Sequence, residues 1–269
     1  MTPTSSIAHA PSCGLSGALP VRLIARLDIK GANVIKGVHL EGLRVVGQPA
    51  EMAHRYYADG VDEIVYMDVV ASLYGRNSIL DVITAAARDI FVPLTVGGGI
   101  RSVTDIIAAL RAGADKVAIN TAALARPDFL REAARAFGSQ CIVLSIEAKR
   151  RGPAAWEALT DNGRERTGRD VLNWAEEAES LGIGEILLTS VDMEGTRKGF
   201  DIDLISAVRA RVRVPVIASG GAGFPDDVAD VARATSCDAV AIAGMLHHGL
   251  ETLPSLKTAL AKRGMTVRL

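Results

Sequence analysis

VPLTVGGGIRSVTDIIAALRAGADKVAIN (residues 92–120) returns later in the chain as VPVIASGGAGFPDDVADVARATSCDAVAIAG (residues 214–244). Each copy starts with an apolar strand-like run, turns on glycines, continues through a helical pattern and closes on a second apolar run, KVAIN or DAVAIAG. Strand, turn, helix, strand is the unit of a parallel sheet covered by helices. A second pair accompanies the first: GVDEIVYMDV (60–69) aligns with GIGEILLTSVD (182–192). The same pairing sets ARLDIKGANVIKG (25–37) against VLSIEAKRRGPA (143–154). Internal repeats decide architecture, and this one predicts two copies of a four-unit half.

Eight strand-like cores follow residue 20: 21–29, 63–69, 92–99, 116–120, 141–148, 185–192, 214–223 and 238–244. Helical patterns such as PAEMAHRYYADG, RDVLNWAEEAESLG and PDDVADVARATS lie between them, and several close on Gly, as helix C-termini favour. The expected fold is α/β: a single (β/α)8 TIM barrel with a two-fold half-barrel repeat over residues 21–269, with an open doubly wound sheet as the alternative. A length of 269 residues suits a barrel of about 250. With 49% apolar but only 4% aromatic residues, the core is built from Val, Ile, Leu and Ala, the composition of parallel strands covered by helices.

A net charge of −1 gives no bulk attraction to nucleic acid or an anionic membrane. No apolar run approaches the ~18 residues of a membrane span. Cys13, Cys141 and Cys237 have no CxxC spacing and, being odd in number, cannot all pair with one another. Cys141 and Cys237 lie in apolar segments and read as reduced core residues, which suits a cytoplasmic protein. Residues 1–20 lack a basic n-region and a long apolar h-region, so they read as a disordered extension and not a secretory signal. His9, His39, His54, His247 and His248 show no metal-ligand spacing, and neither a metal nor a cofactor is expected. Trp156 and Trp174 read as packing residues; RVRV (211–214) and KRRG (149–152) read as solvated turns.

The repeat places Asp28 and Glu147 at equivalent strand ends, each two residues before a lysine (Lys30 and Lys149). Active sites of such barrels sit at the C-terminal ends of the strands, so the two carboxylates face one another across the mouth as a candidate acid/base pair. Gly97-Gly98-Gly99 and Gly220-Gly221-Ala222-Gly223 each follow a strand and precede a helix, a geometry that offers backbone N–H groups to an anion. Glycine keeps side chains out of the way of an approaching phosphate. Each turn is partnered by the end of the next strand, Asn120-Thr121 in one half and Ala243-Gly244 in the other. Two such sites on opposite rims imply a long ligand carrying two phosphates.

RLDIKGANVIKG, DEIVYMDV, PLTVGGGIRS, ADKVAIN, FGSQCIVLSIEAKR, GEILLTSVDMEGT and PVIASGGAG run along the whole barrel. Through them the chain, from about residue 21 onward, resembles the cyclase subunit family of imidazole glycerol phosphate synthase in histidine biosynthesis. The resemblance implies a lyase that takes ammonia from a glutaminase partner in a heterodimer. It would close an imidazole ring on a phosphoribulosyl-formimino aminoimidazole carboxamide ribotide, releasing imidazole glycerol phosphate and aminoimidazole carboxamide ribotide. By that resemblance Asp28 and Glu147 are the catalytic carboxylates and Lys36 meets a phosphate. Gly98, Gly99, Asn120, Thr121, Thr189, Ser219, Gly220, Gly221, Ala243 and Gly244 would bind substrate. Arg22, Glu63, Lys116 and Glu185 would gate ammonia entry at the opposite, N-terminal face.

Four positions depart from the family pattern. Glu147 and Glu194 stand where the family has Asp, Arg26 where it has Cys, and Gly244 where it has a phosphate-binding Ser. The extra methylene of Glu147 moves its carboxylate by roughly 1 Å, a displacement that can cost on the order of 10²-fold in rate. Two alternatives therefore stay open beside the cyclase. One is a cyclase-like paralogue that passes ammonia to another substrate, in surface-sugar amidation or specialised metabolism. The other is a catalytically weak subunit that activates a glutaminase.

Overall fold

The computed structural model describes residues 20–71 and 79–268. The expected N-terminal extension, apart from Pro20, lies outside the described residues. Eight parallel strands form the barrel: β1 (Arg22–Lys30), β4 (Glu63–Asp68), β5 (Leu94–Gly97), β6 (Lys116–Ile119), β7 (Ile142–Gly152), β10 (Glu185–Ser190), β11 (Val216–Ser219) and β12 (Ala239–Ile242). Each pairs with the next in that order, β7 pairs with β10, and β12 returns to β1, so the sheet closes. The doubly wound alternative is thereby excluded, because it would leave two open edges.

Strand residues alternate between two environments, as a period of two requires. Leu23, Ala25, Leu27, Ile64, Tyr66, Val117, Leu144, Ile186 and Val240 pack with helix residues such as Ile83, Ile106, Leu130, Trp174 and Leu204. The intervening residues Ile24, Val65, Met67, Ala118, Val143, Leu187, Ile217, Ala239 and Ala241 form a separate apolar cluster inside the barrel. This lumen is a packed core and not a pore. On the same inward parity, polar side chains lie below and above the apolar layer. Trp156 and Trp174 are fully buried, as packing residues should be. Cys237 is buried and free, but Cys141 is only half-buried.

The two halves repeat at the level of single residues. Asn120 and Ala243 precede their short helices at φ/ψ of −124/−85° and −125/−84°. Asp115 Oδ2 accepts from Leu94 N at 2.8 Å, and its mate Asp238 accepts from Val216 N at 2.9 Å. Asp105 and Asp227 each accept from the backbone just ahead of their helices, at Arg101 N (3.0 Å) and Gly223 N (2.8 Å).

Each half also carries a two-stranded antiparallel excursion from its first strand. β2 (Asn33–Val38) and β3 (Glu41–Gly47) fold back on β1, and β8 (Ala155–Thr160) and β9 (Glu165–Asp170) fold back on β7. KRRG is accordingly not a turn. Residues 149–152 are the end of β7, where Arg150 pairs with Trp156 and its guanidinium stacks 4.8 Å from that ring.

Candidate active site

Both hairpins stand at the C-terminal mouth and bring residues over it. Glu147, at the mouth end of β7, is buried and accepts two hydrogen bonds on Oε2, from Asn120 Nδ2 (3.0 Å) and from the Gly163 N–H (2.7 Å). Gly163 lies in the β8–β9 turn, whose residues Asp161, Asn162 and Gly163 all adopt positive φ. Asn120 also donates to Leu159 O at 3.0 Å, tying the hairpin to β6. Burial pushes the Glu147 carboxyl up to about 7, against the pull of Arg26 and the Gly163 N–H. A group poised there exchanges a proton at neutral pH.

Asp28 is set differently. It is buried on β1, but Arg26 Nε donates to its Oδ1 at 2.9 Å and Lys36 Nζ lies 3.5 Å from its Oδ2. Burial alone would raise its pKa; Arg26 first and Lys36 second outweigh it and hold the carboxyl below its ordinary value. The two carboxylates thus have opposite settings, Asp28 ionised and Glu147 titrating near pH 7, which is the arrangement that separates acid from base roles. His247, close enough to act on this group, is pushed down to about 3 by burial and then by Lys36, so its imidazole is neutral.

Lys36, on β2, is buried between two carboxylates: it ion-pairs with Glu194 and approaches Asp28. Its charge is already matched, so a phosphate would share it and not own it. Arg26 completes the network, donating from Nη1 to Thr189 Oγ1 (2.8 Å) and Ser219 Oγ (3.2 Å).

The glycine turns line two cavities on either side of this network. One, of about 750 Å³, is bounded by Ser219, Gly220, Gly221, Ala243 and Gly244, together with Arg26, Lys36, Arg44 and Arg197. The other, of about 410 Å³, is bounded by Gly98, Gly99, Asn120, Thr121 and Glu147, with Arg101, Arg126 and an apolar wall of Met67, Val69 and Ile100. Gly98 and Gly220 have φ of +88° and +95°, and Gly99 and Gly221 of +73° and +109°. The steric reason for glycine is also internal. A Cβ on Gly98 would stand 2.0 Å from Asp68 O, and one on its mate Gly220 2.8 Å from Ser190 O. The turns pack on the carbonyl that ends the preceding barrel strand.

At the opposite face, Arg22 bonds Glu63 and Glu185 (2.6 Å to the latter), while Lys116 bonds the same two acids at 3.1 and 2.9 Å. Alternating charges from β1, β4, β6 and β10 therefore close into a ring around the lumen's lower end. A cavity of about 650 Å³ opens beside Arg22, Lys116 and Glu185.

The candidate catalytic, substrate-binding and gate residues named from the sequence lie in the buried network around Arg26, in the two cavities or in the charge ring. Arg44, Arg101, Arg126, Arg197, Asn162 and Gly163 were not singled out. The Asn162-Gly163 dipeptide is a hairpin signal that would have brought the last two forward. The arginines lie in loops or on an edge strand whose positions only the closed barrel defines. Among the described residues, no group of three or more His, Cys, Asp or Glu side chains is arranged to hold a metal ion.

Barrel, mouth and repeat together define a two-fold-symmetric (β/α)8 protein with a two-cavity site at its C-terminal mouth, and the match of residues 22–252 to the family model described as "Histidine biosynthesis protein" places it in that class. The imidazole glycerol phosphate synthase subunit HisF of Legionella pneumophila is 64% identical over 203 residues, 76% of this chain and 96% of its own. That of Mycobacterium tuberculosis (strain ATCC 25177 / H37Ra) is 50% identical over 259 residues, 94% of this chain and 97% of its own. The subunit of Mycobacteroides abscessus is 49% identical over 257 residues. The chain belongs to the HisF family of imidazole glycerol phosphate synthase subunits.

Proposed function

We infer that this protein is the cyclase of imidazole glycerol phosphate synthesis, acting on a phosphoribulosyl-formimino aminoimidazole carboxamide ribotide with ammonia. The observation that carries this reading is the pair of glycine-lined cavities flanking two oppositely set carboxylates. In it, the phosphoribulosyl end occupies the larger cavity, with its phosphate on Gly220 and Gly221. The aminoimidazole ribotide occupies the smaller one, its ring against Met67, Val69 and Ile100 and its phosphate on Gly98 and Gly99.

Ammonia attacks the ribulosyl ketone carbon. Asp28, ionised, takes a proton from the nitrogen that has bonded. The ketone oxygen leaves as water to give an imine, whose nitrogen bonds the formimino carbon and closes the ring. The bond from that carbon to the aminoimidazole nitrogen then breaks, and Glu147, protonated in part at neutral pH, gives that leaving nitrogen its proton. The ring of Arg22, Glu63, Lys116 and Glu185 supports ammonia entry from a glutaminase partner docked on the N-terminal face. No helix among the described residues is long and apolar enough to cross a membrane, and Cys141 and Cys237 are free thiols; the glutaminase partner and a cytoplasmic heterodimer are part of this reading. Product formation from the ribotide with an ammonium salt, and from glutamine with a glutaminase subunit, tests the two halves of the reading.

A second reading, a paralogue acting on a different substrate, is favoured by one observation: the guanidinium of Arg26 in the lumen directly beneath the carboxylates. Failure of the ribotide to bind would select it.

A further inference from the structure

Arg26 projects inward from β1 and is 1% exposed. Three contacts from three strands fix its plane: Nε to Asp28 on β1, and Nη1 to Thr189 on β10 and Ser219 on β11. Nη2 is buried and has no hydrogen-bond partner. A guanidinium carries five N–H donors in a rigid fork, two of them on this nitrogen. Buried donors in native proteins are nearly always matched, and an exception calls for an explanation.

The surroundings narrow it. Asp28, Glu147 and Glu194 all lie near enough to act on Arg26 electrostatically, yet none bonds Nη2. Arg26 also forms part of the wall of the larger cavity, beside Ser219 and the Gly220–Gly221 turn. A ligand whose phosphate rests on that turn would extend its carbon chain toward the carboxylates and pass Arg26 on the way.

We infer that Arg26 is a substrate-binding residue, and that Nη2 donates to an oxygen acceptor, a ketone or hydroxyl, on the carbon chain of the phosphoribulosyl end. This rests on the placement of that end in the larger cavity under the cyclase reading. The contact makes Arg26 a specificity determinant: it accepts a chain with an oxygen at that point and rejects one with a cation or an apolar group there. Arg26 serves both sides of the reaction centre, holding Asp28 through Nε and the substrate through Nη2.

The test is calorimetric titration of the full-length protein with the ribotide substrate in the absence of ammonia, so that no turnover intervenes. Inorganic phosphate is titrated in parallel. Arg26→Lys keeps the positive charge beside Asp28 and removes the planar fork. It should weaken ribotide binding by about 10- to 100-fold, the range for a lost charge-assisted hydrogen bond, while phosphate binding changes less than about twofold. Arg26→Gln leaves an amide that Thr189 and Ser219 can still hold but removes the second guanidinium nitrogen. It should weaken the ribotide by about 10- to 100-fold, and it decides the matter if Arg26→Lys does not fold.

Unchanged ribotide affinity in the folded variants overturns the inference. So does an equal loss for ribotide and phosphate, which marks collapse of the glycine turns, and so does a native protein that does not bind the ribotide. The cyclase reading is judged separately. A native protein that binds the ribotide but does not convert it with ammonium retires that reading and leaves the Arg26 contact standing.

Discussion

Arg26 Nε and Asp28 Oδ1 lie 2.9 Å apart, both side chains buried inside the barrel. Two residues apart on one strand, they share its inward face, so the guanidinium sits one layer beneath the carboxylate. This pairing sets the chemistry of the mouth: Asp28 keeps its charge despite burial, and the proton that moves near neutral pH is left to Glu147.

Glu147 should make the protein less stable as pH rises. Its folded pKa, raised from 4.5 to about 7, means that the folded state binds more protons than the unfolded one between those values. Stability therefore falls from about pH 4.5 to about pH 7 and levels off above. Glu147→Gln removes this dependence, and a glutamine oxygen can still accept from Asn120 and Gly163. Denaturant melts should show the variant gaining on the native protein by about 2–3 kcal/mol between pH 4 and pH 8. A difference that stays flat with pH counts against a buried, titrating Glu147.

Gly98→Ala should destabilise the barrel and weaken phosphate binding together. At φ +88°, and with a Cβ 2.0 Å from Asp68 O, alanine meets both backbone strain and a backbone clash. Gly31→Ala is the control: its φ is +58°, but nothing lies within 4 Å, so only the left-handed penalty of about 1–2 kcal/mol applies. Thermal melts should place Gly98→Ala several degrees below Gly31→Ala. Equal melting temperatures would mean that the turn does not pack on the strand end.

Gly244→Ser should be tolerated and should tighten phosphate binding. A Cβ there meets only Lys36 Cε at 3.8 Å and His248 Cδ2 at 3.9 Å, ordinary contacts, so glycine is not sterically required. One added neutral hydrogen bond is worth about 1 kcal/mol, roughly fivefold in affinity. Titration with inorganic phosphate reads this directly; a weaker or unchanged Kd removes Gly244 from the phosphate site.

Lys116→Ala should separate the two nitrogen sources. It leaves Glu63 and Glu185 with Arg22 alone at the foot of the lumen, far from the carboxylates. Turnover with ammonium salt should stay within about twofold of the native rate while glutamine-driven turnover with a glutaminase subunit changes by about tenfold or more, a change of about 1.4 kcal/mol in barrier. Equal effects on both would show that the ring supports the fold and not the passage of ammonia.

The barrel was legible because its repeat is written in strand-turn-helix units whose apolar periodicity survives divergence. Asp28, Glu147 and the glycine turns were legible because strand ends and glycines mark position along the chain. The hairpins were less so. β2 and β3 turn through His39 and Leu40, at φ of +52° and +64°, and neither residue announces a left-handed turn. KRRG was misread because its charges suggested solvent, whereas it extends β7 past the barrel rim and pairs with β8. Arg26 was visible as a departure from the family's cysteine, but its role was not. The three strands that fix it come together only when the barrel closes, and sequence separation conceals contacts to Thr189 and Ser219.

The most direct measurement is turnover of the phosphoribulosyl-formimino ribotide with excess ammonium salt at alkaline pH, on the native protein beside Asp28→Asn and Glu147→Asp. The expected result is imidazole glycerol phosphate from the native protein, a loss of about 10²- to 10⁴-fold in Asp28→Asn, and activity kept or raised in Glu147→Asp. No product from the native protein or from Glu147→Asp, with the barrel folded, would contradict the cyclase assignment.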